Sequence, residues 1–291
     1  MERRYAVICN PAAAGGRGRR RLPAVVAELA RRGLGHRVVS TRDIDHARTE
    51  ARAAAAAGER VIAIGGDGLL RPVAAELRGS ESALAIVPGG RGNDLARVLR
   101  IPDDPAAAAR LAVDGVERTI DMAAVDGEPY LGIASFGFDS EANRLANEAK
   151  LIRGDAVYLY AALRALATWR AAHFTVTVDG VRHDLAGYSI AVANSQAYGG
   201  GMYIAPQASL DDGQLDVVAT LDAPRLEFLS KLPKVFKGAH LTDHRVRALR
   251  GARIEVAADR PFDIYADGDP IGAVPAVVEV LPACLRVVVA A

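Results

Sequence analysis

Asp67 stands between glycines in the run Gly65-Gly66-Asp67-Gly68, directly after a short apolar stretch. A carboxylate so placed adds little to packing. At the end of a strand it can meet magnesium or a reacting hydroxyl. Two other runs are also rich in glycine or otherwise unusual: Asn10-Pro11-Ala12-Ala13-Ala14-Gly15-Gly16-Arg17-Gly18, and Pro88-Gly89-Gly90-Arg91-Gly92-Asn93-Asp94. Glycines let backbone amides approach a phosphate, and the N-terminus of a following helix adds unused N–H groups. Tight turns alone explain most single loops of this kind. Three at successive strand ends are harder to explain so, and they point to a phosphate-bearing ligand. The later acids of Asp267-Gly268-Asp269 read either as a plain turn between strands or as part of a site.

The elements that must position these residues follow from the apolar pattern. Strands are expected at Tyr5–Cys9, His36–Val39, Val61–Ile64 and Leu84–Val87. Helices are expected at about Leu22–Arg32, Asp45–Ala57, Pro72–Leu77, Leu95–Leu99 and Pro105–Val113. This alternation predicts a doubly wound α/β domain, in which ligands bind at the carboxyl ends of the strands. Beyond Asp121 strand-like runs dominate: Leu131–Ser135, Phe174–Val178, Leu185–Asn194, Leu215–Leu221, Arg253–Ala257, Phe262–Ala266, Ala276–Val280 and Leu285–Val289. Turn signals such as Asp179-Gly180 and Asp212-Gly213 separate them, as in an antiparallel sandwich. Two helices interrupt the strands, at about Asp155–Ala172 and Pro224–Lys237. The expected fold is thus an α/β N-terminal doubly wound domain, residues 1–122, plus a β-rich, sandwich-like C-terminal domain, residues 123–291, the last strand returning toward the first domain.

Composition removes several classes of function. A net charge of +1 gives no global polyanion-binding signature, so nucleic acid is not an expected partner. The two cysteines, Cys9 and Cys284, lie in apolar runs and read as small buried hydrophobes. No Cys/His cluster has zinc spacing. The N-terminus lacks the apolar stretch of a signal peptide, and no apolar run reaches the ~20 residues that span a bilayer. These features predict a cytoplasmic chain whose membrane contact is peripheral.

Asn10-Pro11, Gly65-Gly66-Asp67-Gly68 and Gly92-Asn93-Asp94-Leu95-Ala96-Arg97 resemble the catalytic-domain motifs of diacylglycerol and sphingosine kinases. His46-Ala47 after Thr41, Gly137-Phe138-Asp139, Asp212-Gly213 and Asp267-Gly268-Asp269 follow in that family's order, so the resemblance covers nearly the whole chain. It implies ATP between an α/β domain and a β-rich domain, with Mg2+ as cofactor. It implies ATP contacts from Asn10, Pro11, Gly15, Thr41, Gly66, Asp67, Gly68, Gly92 and Asn93. Asp94 would join a network around magnesium, and Asp121 could orient the ion through water or cap the domain junction. The position of the family's catalytic base is held here by Asp269, with Asp67 as the alternative. A family metal site falls on Ser209 and Gln214 through backbone oxygens and on Asp212 through its side chain.

The sequence departs from the family's pattern at Leu69, Arg71, Pro72 and Arg91. Two polar phosphate-facing groups are lost and two arginines appear. Arginine is a good bidentate phosphate partner, so Arg91, and then Arg71, are expected to replace the lost contacts. A surface arginine in an Arg-rich chain is the plain alternative. Asp269 is one methylene shorter than the family's usual glutamate.

On a helical projection of residues 226–237, Phe228, Leu229, Leu232, Val235 and Phe236 share one arc. Lys231, Lys234 and Lys237 share the opposite one, and Pro233 would kink the helix. The ordinary reading is a surface helix with its apolar face on the core; the sharper one is a basic platform on an anionic membrane surface. Trp169, Tyr158 and Tyr160 read as core or cover, and Tyr198-Gly199-Gly200-Gly201 as a close backbone approach near the substrate. The expected activity is transfer of the ATP γ-phosphoryl group to a lipid alcohol, diacylglycerol first. The alternatives are a sphingoid-type kinase, an NAD kinase-like enzyme and an inactive nucleotide- or lipid-binding protein. Oligomeric state is left open, a homodimer included.

Overall fold

Apolar runs without polar alternation build the centre of the first unit, as strands buried on both faces require. The structure is a computed structural model that describes residues 4–149 and 156–291. The first unit comprises the residues up to Met122, Gly199–Gly201 and Pro282–Ala291; the second comprises Ala123–Tyr198 and Met202–Leu281.

In the first unit the chain runs β1 (Tyr5–Cys9), α1 (Ala13–Arg31), β2 (His36–Ser40), α2 (Ile44–Ala56), β3 (Arg60–Gly65), α3 (Asp67–Leu77), β4 (Leu84–Pro88), α4 (Asp94–Val98) and α5 (Pro105–Asp114). β2, β1, β3 and β4 lie in that order and are all parallel. Asp43 and Asp104 cap α2 and α5 by accepting from the amides of His46 and Ala107, and Pro105 opens α5 where its missing N–H costs nothing. Register decides what these strands present. Cys9 pairs with Ile64, and Ile64 with Val87, so β1, β3 and β4 end level and the three glycine-bearing loops emerge side by side.

The second unit continues with β5 (Val116–Val125), which begins in the first unit, then β6 (Glu128–Tyr130), β7 (Ile133–Gly137), α6 (Phe138–Glu148), α7 (Ala156–Thr168), β8 (Ala172–Val178), β9 (Val181–Ala193), β10 (Leu215–Leu221), α8 (Arg225–Val235), β11 (Val246–Gly251), β12 (Arg253–Ala258), β13 (Asp263–Ala266), β14 (Asp269–Ala273) and β15 (Ala276–Val289). Its antiparallel order is β14-β13-β7-β9-β8-β12-β15, with β10 paired to both β9 and β11 and β6 to β5. Three hairpins turn on Asp-Gly pairs with both residues at positive φ: Asp126 (48°) and Gly127 (89°), Asp179 (46°) and Gly180 (84°), Asp267 (53°) and Gly268 (90°). That is the two-residue turn whose twist matches the strands it joins. Phe136, Phe174, Ile190, Val192, Ile254 and Val278 fill the core. A second cluster seats the helices: Phe138 meets Trp169 and Phe228 edge-on at 5.5 and 5.1 Å, and Tyr188 stacks on Phe228 at 4.3 Å.

Several expectations need correction. α3 starts at Asp67, not Pro72, because Gly66 is extended and an acid in the first turn suits the helix N-terminus. Ala276–Val280 and Leu285–Val289 are one strand. The strand continues through Pro282, with Ala283 at φ 47° marking a bend. From Pro282 onward this strand belongs to the first unit, where Val287 pairs with Leu84 of β4. The helix expected over 155–172 ends at Thr168, since Ala172 already starts β8. Asp155 and the side chain of Tyr158 lie outside the described residues. Trp169 is core, packed on Phe262 at 5.7 Å, whereas Tyr160 is exposed.

Candidate active site

The three loops of the first unit are locked together by their glycines. A Cβ on Gly90 would sit 2.5 Å from the Gly66 Cα, and one on Gly18 would sit 2.1 Å from the Asn10 carbonyl oxygen. Arg17 ties the first loop to the third by donating to the Gly90 carbonyl at 3.0 Å. Asn93, at φ 51°, closes the third loop: its Oδ1 accepts from the Gly90 amide at 2.8 Å and its Nδ2 donates to the Gly90 carbonyl at 3.1 Å. The Asn10 Oδ1 accepts from the Ala12 amide at 3.0 Å. Thr41 is buried, donating its hydroxyl to the Cys9 carbonyl at 3.3 Å. Ala14, Gly15 and Gly16 are left-handed, so regular helix in α1 begins only after them, and nothing lies within 4 Å of a Cβ placed on Gly15. Gly15 therefore faces open space, while Gly66 and Gly90 serve close approach between loops and Gly18 serves close approach within the first loop.

Asp67 and Asp94 meet on this frame. Gly92 has no room for a side chain, because Asp94 Oδ2 and Asp67 Oδ2 lie 3.0 and 3.3 Å from where its Cβ would be. Asp67 accepts from the amides of Asp94 at 3.2 Å and Leu95 at 3.4 Å, so it also caps α4. Asp94 accepts from the amide of Gly200 at 3.0 Å, which gives the Gly199–Gly201 stretch a defined task. Burial pushes Asp67 above the usual carboxylate range, against those amides. Burial, and then the neighbouring Asp67 charge, push Asp94 up as well. Asp94 Oδ1 is buried with no hydrogen-bond partner. Two carboxylates that resist ionisation, one with an unused oxygen, form a place for a cation or a proton.

The other singled-out residues have clear positions. Leu69 is buried against Gly65 and Pro72 is buried inside α3, while Arg91 is exposed. Asp121 is buried and accepts from the amide of Ala283, holding the bend of β15. In the second unit, Asp267 accepts from the amides of Leu131 and Gly132, both at 2.8 Å, and Asp269 opens β14 opposite Ala266. The Asp212 carboxylate is bound by Arg250 and accepts from the Gln214 amide at 3.1 Å, while Ser209 donates to Asp211 at 2.6 Å. A cation at Ser209, Asp212 and Gln214 would have to displace Arg250. Among the described residues, no three His, Cys, Asp or Glu side chains converge as a preformed metal cluster.

A second feature went unread in the sequence. Within the second unit, Met202, Ile204, Phe228, Leu232 and Val235 wall an apolar pocket that also holds Asp139 and His240. Asp139 accepts from the hydroxyls of Ser189 and Tyr198, and burial pushes its carboxyl up to about 6. Of the expected apolar arc on α8, Phe228, Leu232 and Val235 line the pocket and Leu229 packs on the aromatic cluster, whereas Phe236 departs from it and is exposed. Lys231 departs from the expected lysine row: it binds Glu227 at 2.6 Å and Asp243 at 2.9 Å. Lys234 and Lys237 are exposed, as are Leu226 (82%) and Phe236 (55%).

A parallel α/β unit bearing a carboxylate pair among glycine loops, with a β-rich second unit, is the architecture of a lipid kinase, a phosphotransferase with an alcohol acceptor. Comparison with known proteins agrees: residues 4–125 match the diacylglycerol kinase catalytic domain, and residues 132–289 match the YegS C-terminal NAD kinase beta sandwich-like domain. The chain belongs to this diacylglycerol kinase family. It is 33% identical over 288 residues to the "Diacylglycerol kinase" of Mycobacterium tuberculosis (strain ATCC 25618 / H37Rv), covering 96% of this chain and 93% of that one. It is 34% identical over 252 residues to the "Probable lipid kinase YegS-like" of Pseudomonas aeruginosa (strain UCBPP-PA14), covering 86% and 82%. The fold matches the crystal structure of a diacylglycerol kinase from Bacillus anthracis str. Sterne with a TM-score of 0.77 at 20% identity, covering 99% of this chain and 96% of that one. A second chain from that organism superposes with a TM-score of 0.84 at 24% identity, covering 99% and 97%. Among the described residues no helix is long and apolar enough to cross a membrane.

Proposed function

We propose that this lipid kinase transfers the γ-phosphoryl group of ATP to the hydroxyl of a lipid alcohol, with diacylglycerol the first acceptor to test. The observation that carries the reading is the Asp67–Asp94 pair set among interlocked glycine loops, with Asp94 Oδ1 buried and unused. Magnesium fits this pair, since Mg2+ takes one or two carboxylates and completes its shell with water and phosphate oxygens. When bound, the ion neutralises charge on the phosphate chain. The loop residues Asn10, Pro11, Gly15, Gly66, Gly68 and Gly92 supply backbone beside the phosphates, and exposed Arg91 adds a guanidinium. Thr41 and Asn93 shape the loops that do so. Asp269 accepts the proton of the attacking hydroxyl.

The test is turnover of radiolabelled ATP by the purified chain with diacylglycerol, monoacylglycerol, a sphingoid base and NAD. Labelled lipid that depends on magnesium is expected. Labelled NAD alone would assign an NAD kinase, and tight ATP binding without any product would assign a nucleotide-binding protein.

The acceptor's apolar part suits the pocket behind α8, and the exposed end of that helix suits an anionic membrane surface. Leu226, Phe236, Lys234 and Lys237 combine apolar and cationic groups in solvent. Lys234→Glu with Lys237→Glu is expected to cut sedimentation with phosphatidylserine-containing vesicles several-fold, with little effect on neutral vesicles. Equal sedimentation of the variant would remove the platform. Lys231 is left intact in this test because its ion pairs hold α8.

A further inference from the structure

His240, one of the residues that line the pocket behind α8, carries a buried ring nitrogen with nothing to bind. His240 is 5% exposed, and one ring nitrogen, Nε2, lies 2.9 Å from the carbonyl oxygen of Ile204. A carbonyl can only accept, so Nε2 carries the proton and Nδ1 is the acceptor nitrogen. Nδ1 is buried and has no hydrogen-bond partner. Burial also lowers the imidazole's affinity for a second proton, which keeps Nδ1 an acceptor. Such an atom costs stability unless a ligand or water satisfies it.

The other polar groups of the pocket point the same way. Asp139 presents a carboxyl whose in-protein donors are the hydroxyls of Ser189 and Tyr198. The two cations of the lining are engaged elsewhere: Lys231 with Glu227 and Asp243, Arg245 with Glu227 and the Asp222 carbonyl. The pocket therefore offers acceptors on apolar walls. An ester carbonyl brings another acceptor and gains nothing there, whereas a hydroxyl or amide N–H brings the missing donor.

We infer that His240 is a specificity-determining residue of the acceptor pocket, whose Nδ1 accepts a hydrogen bond from a lipid carrying a donor besides the hydroxyl that is phosphorylated. The acceptor class is then a lipid diol or hydroxy-amide, such as a monoacylglycerol, in preference to an alcohol whose other oxygens are all esterified. This rests on the lipid-kinase reading above and narrows it.

The experiment compares 1-oleoylglycerol with its 2-O-methyl ether, which differ by one donor. Each displaces a fluorescent acyl probe from the full chain without nucleotide, so binding is read apart from catalysis. Wild type is expected to prefer the diol about threefold to tenfold, the range of one neutral hydrogen bond. His240→Phe should bring the ratio to about one, and His240→Gln, which restores an acceptor, should recover part of it. A purely structural role for His240 would weaken both ligands together and leave the ratio. A wild-type ratio near one, or an unchanged ratio in His240→Phe, overturns the inference. If thermal scans show His240→Phe unfolded, the wild-type and His240→Gln ratios decide. A preserved ratio with no lipid phosphorylated would sink the kinase reading and leave only the lipid's hydrogen bond to His240 standing.

Discussion

Asp269→Asn is expected to lower kcat on the lipid acceptor by about 10²–10⁴, the usual worth of a positioned general base, with KM for ATP little changed. Asparagine keeps the size of the side chain and removes only its ability to take a proton. The backbone should tolerate the change, because Asp269 holds its register through pairing with Ala266 across the Asp267-Gly268 turn. Asp267 makes an instructive control. Its two oxygens accept from the amides of Leu131 and Gly132, so Asp267→Ala should lower the melting temperature as well as activity. Activity of Asp269→Asn within tenfold of wild type would move the base to Asp67.

Asp94→Asn should show stability and activity moving in opposite directions. Without magnesium and nucleotide, the variant is expected to melt a few degrees above wild type, while kcat/KM falls about 100-fold or more. Burial and the Asp67 charge raise the Asp94 carboxyl in the folded chain, so the native state disfavours the ionised form. The sign follows directly. The wild-type group contributes most below its unfolded pKa, and that contribution is lost as pH rises through the raised folded value. The variant's thermal advantage should thus be present at neutral pH and vanish in acid. A variant that melts below wild type at neutral pH would show that the pair is not repulsive.

How much of this was legible beforehand varied with the local signal. β1 falls at the expected residues because a continuous apolar run followed by Asn10-Pro11 leaves little choice, and β10 because the Asp212-Gly213 turn fixes where its largely apolar run begins. α6 was missed although Phe138, Ala142 and Leu145 have helical spacing, since the residues between them are mostly polar or charged. β11 was missed because Val246–Gly251 is an edge strand with two arginines and a mostly exposed alternation. For the site, glycine turns announced Asp67 and Asp94, but nothing local announced their contact across 27 positions. His240 carries no motif at all. It becomes noticeable only when folding buries its second ring nitrogen beside no donor, and that is a property of tertiary environment.

The seating of Gly66 against Gly90 limits how this enzyme can change. Two backbones in contact at their α-carbons behave like a keyed joint, in which neither half can be widened without spreading the other. Adaptation to a new phosphate donor or acceptor must therefore leave the joint alone and work through outward side chains such as Arg91. Chemical versatility in this chain belongs to the decoration, and the frame beneath it is fixed.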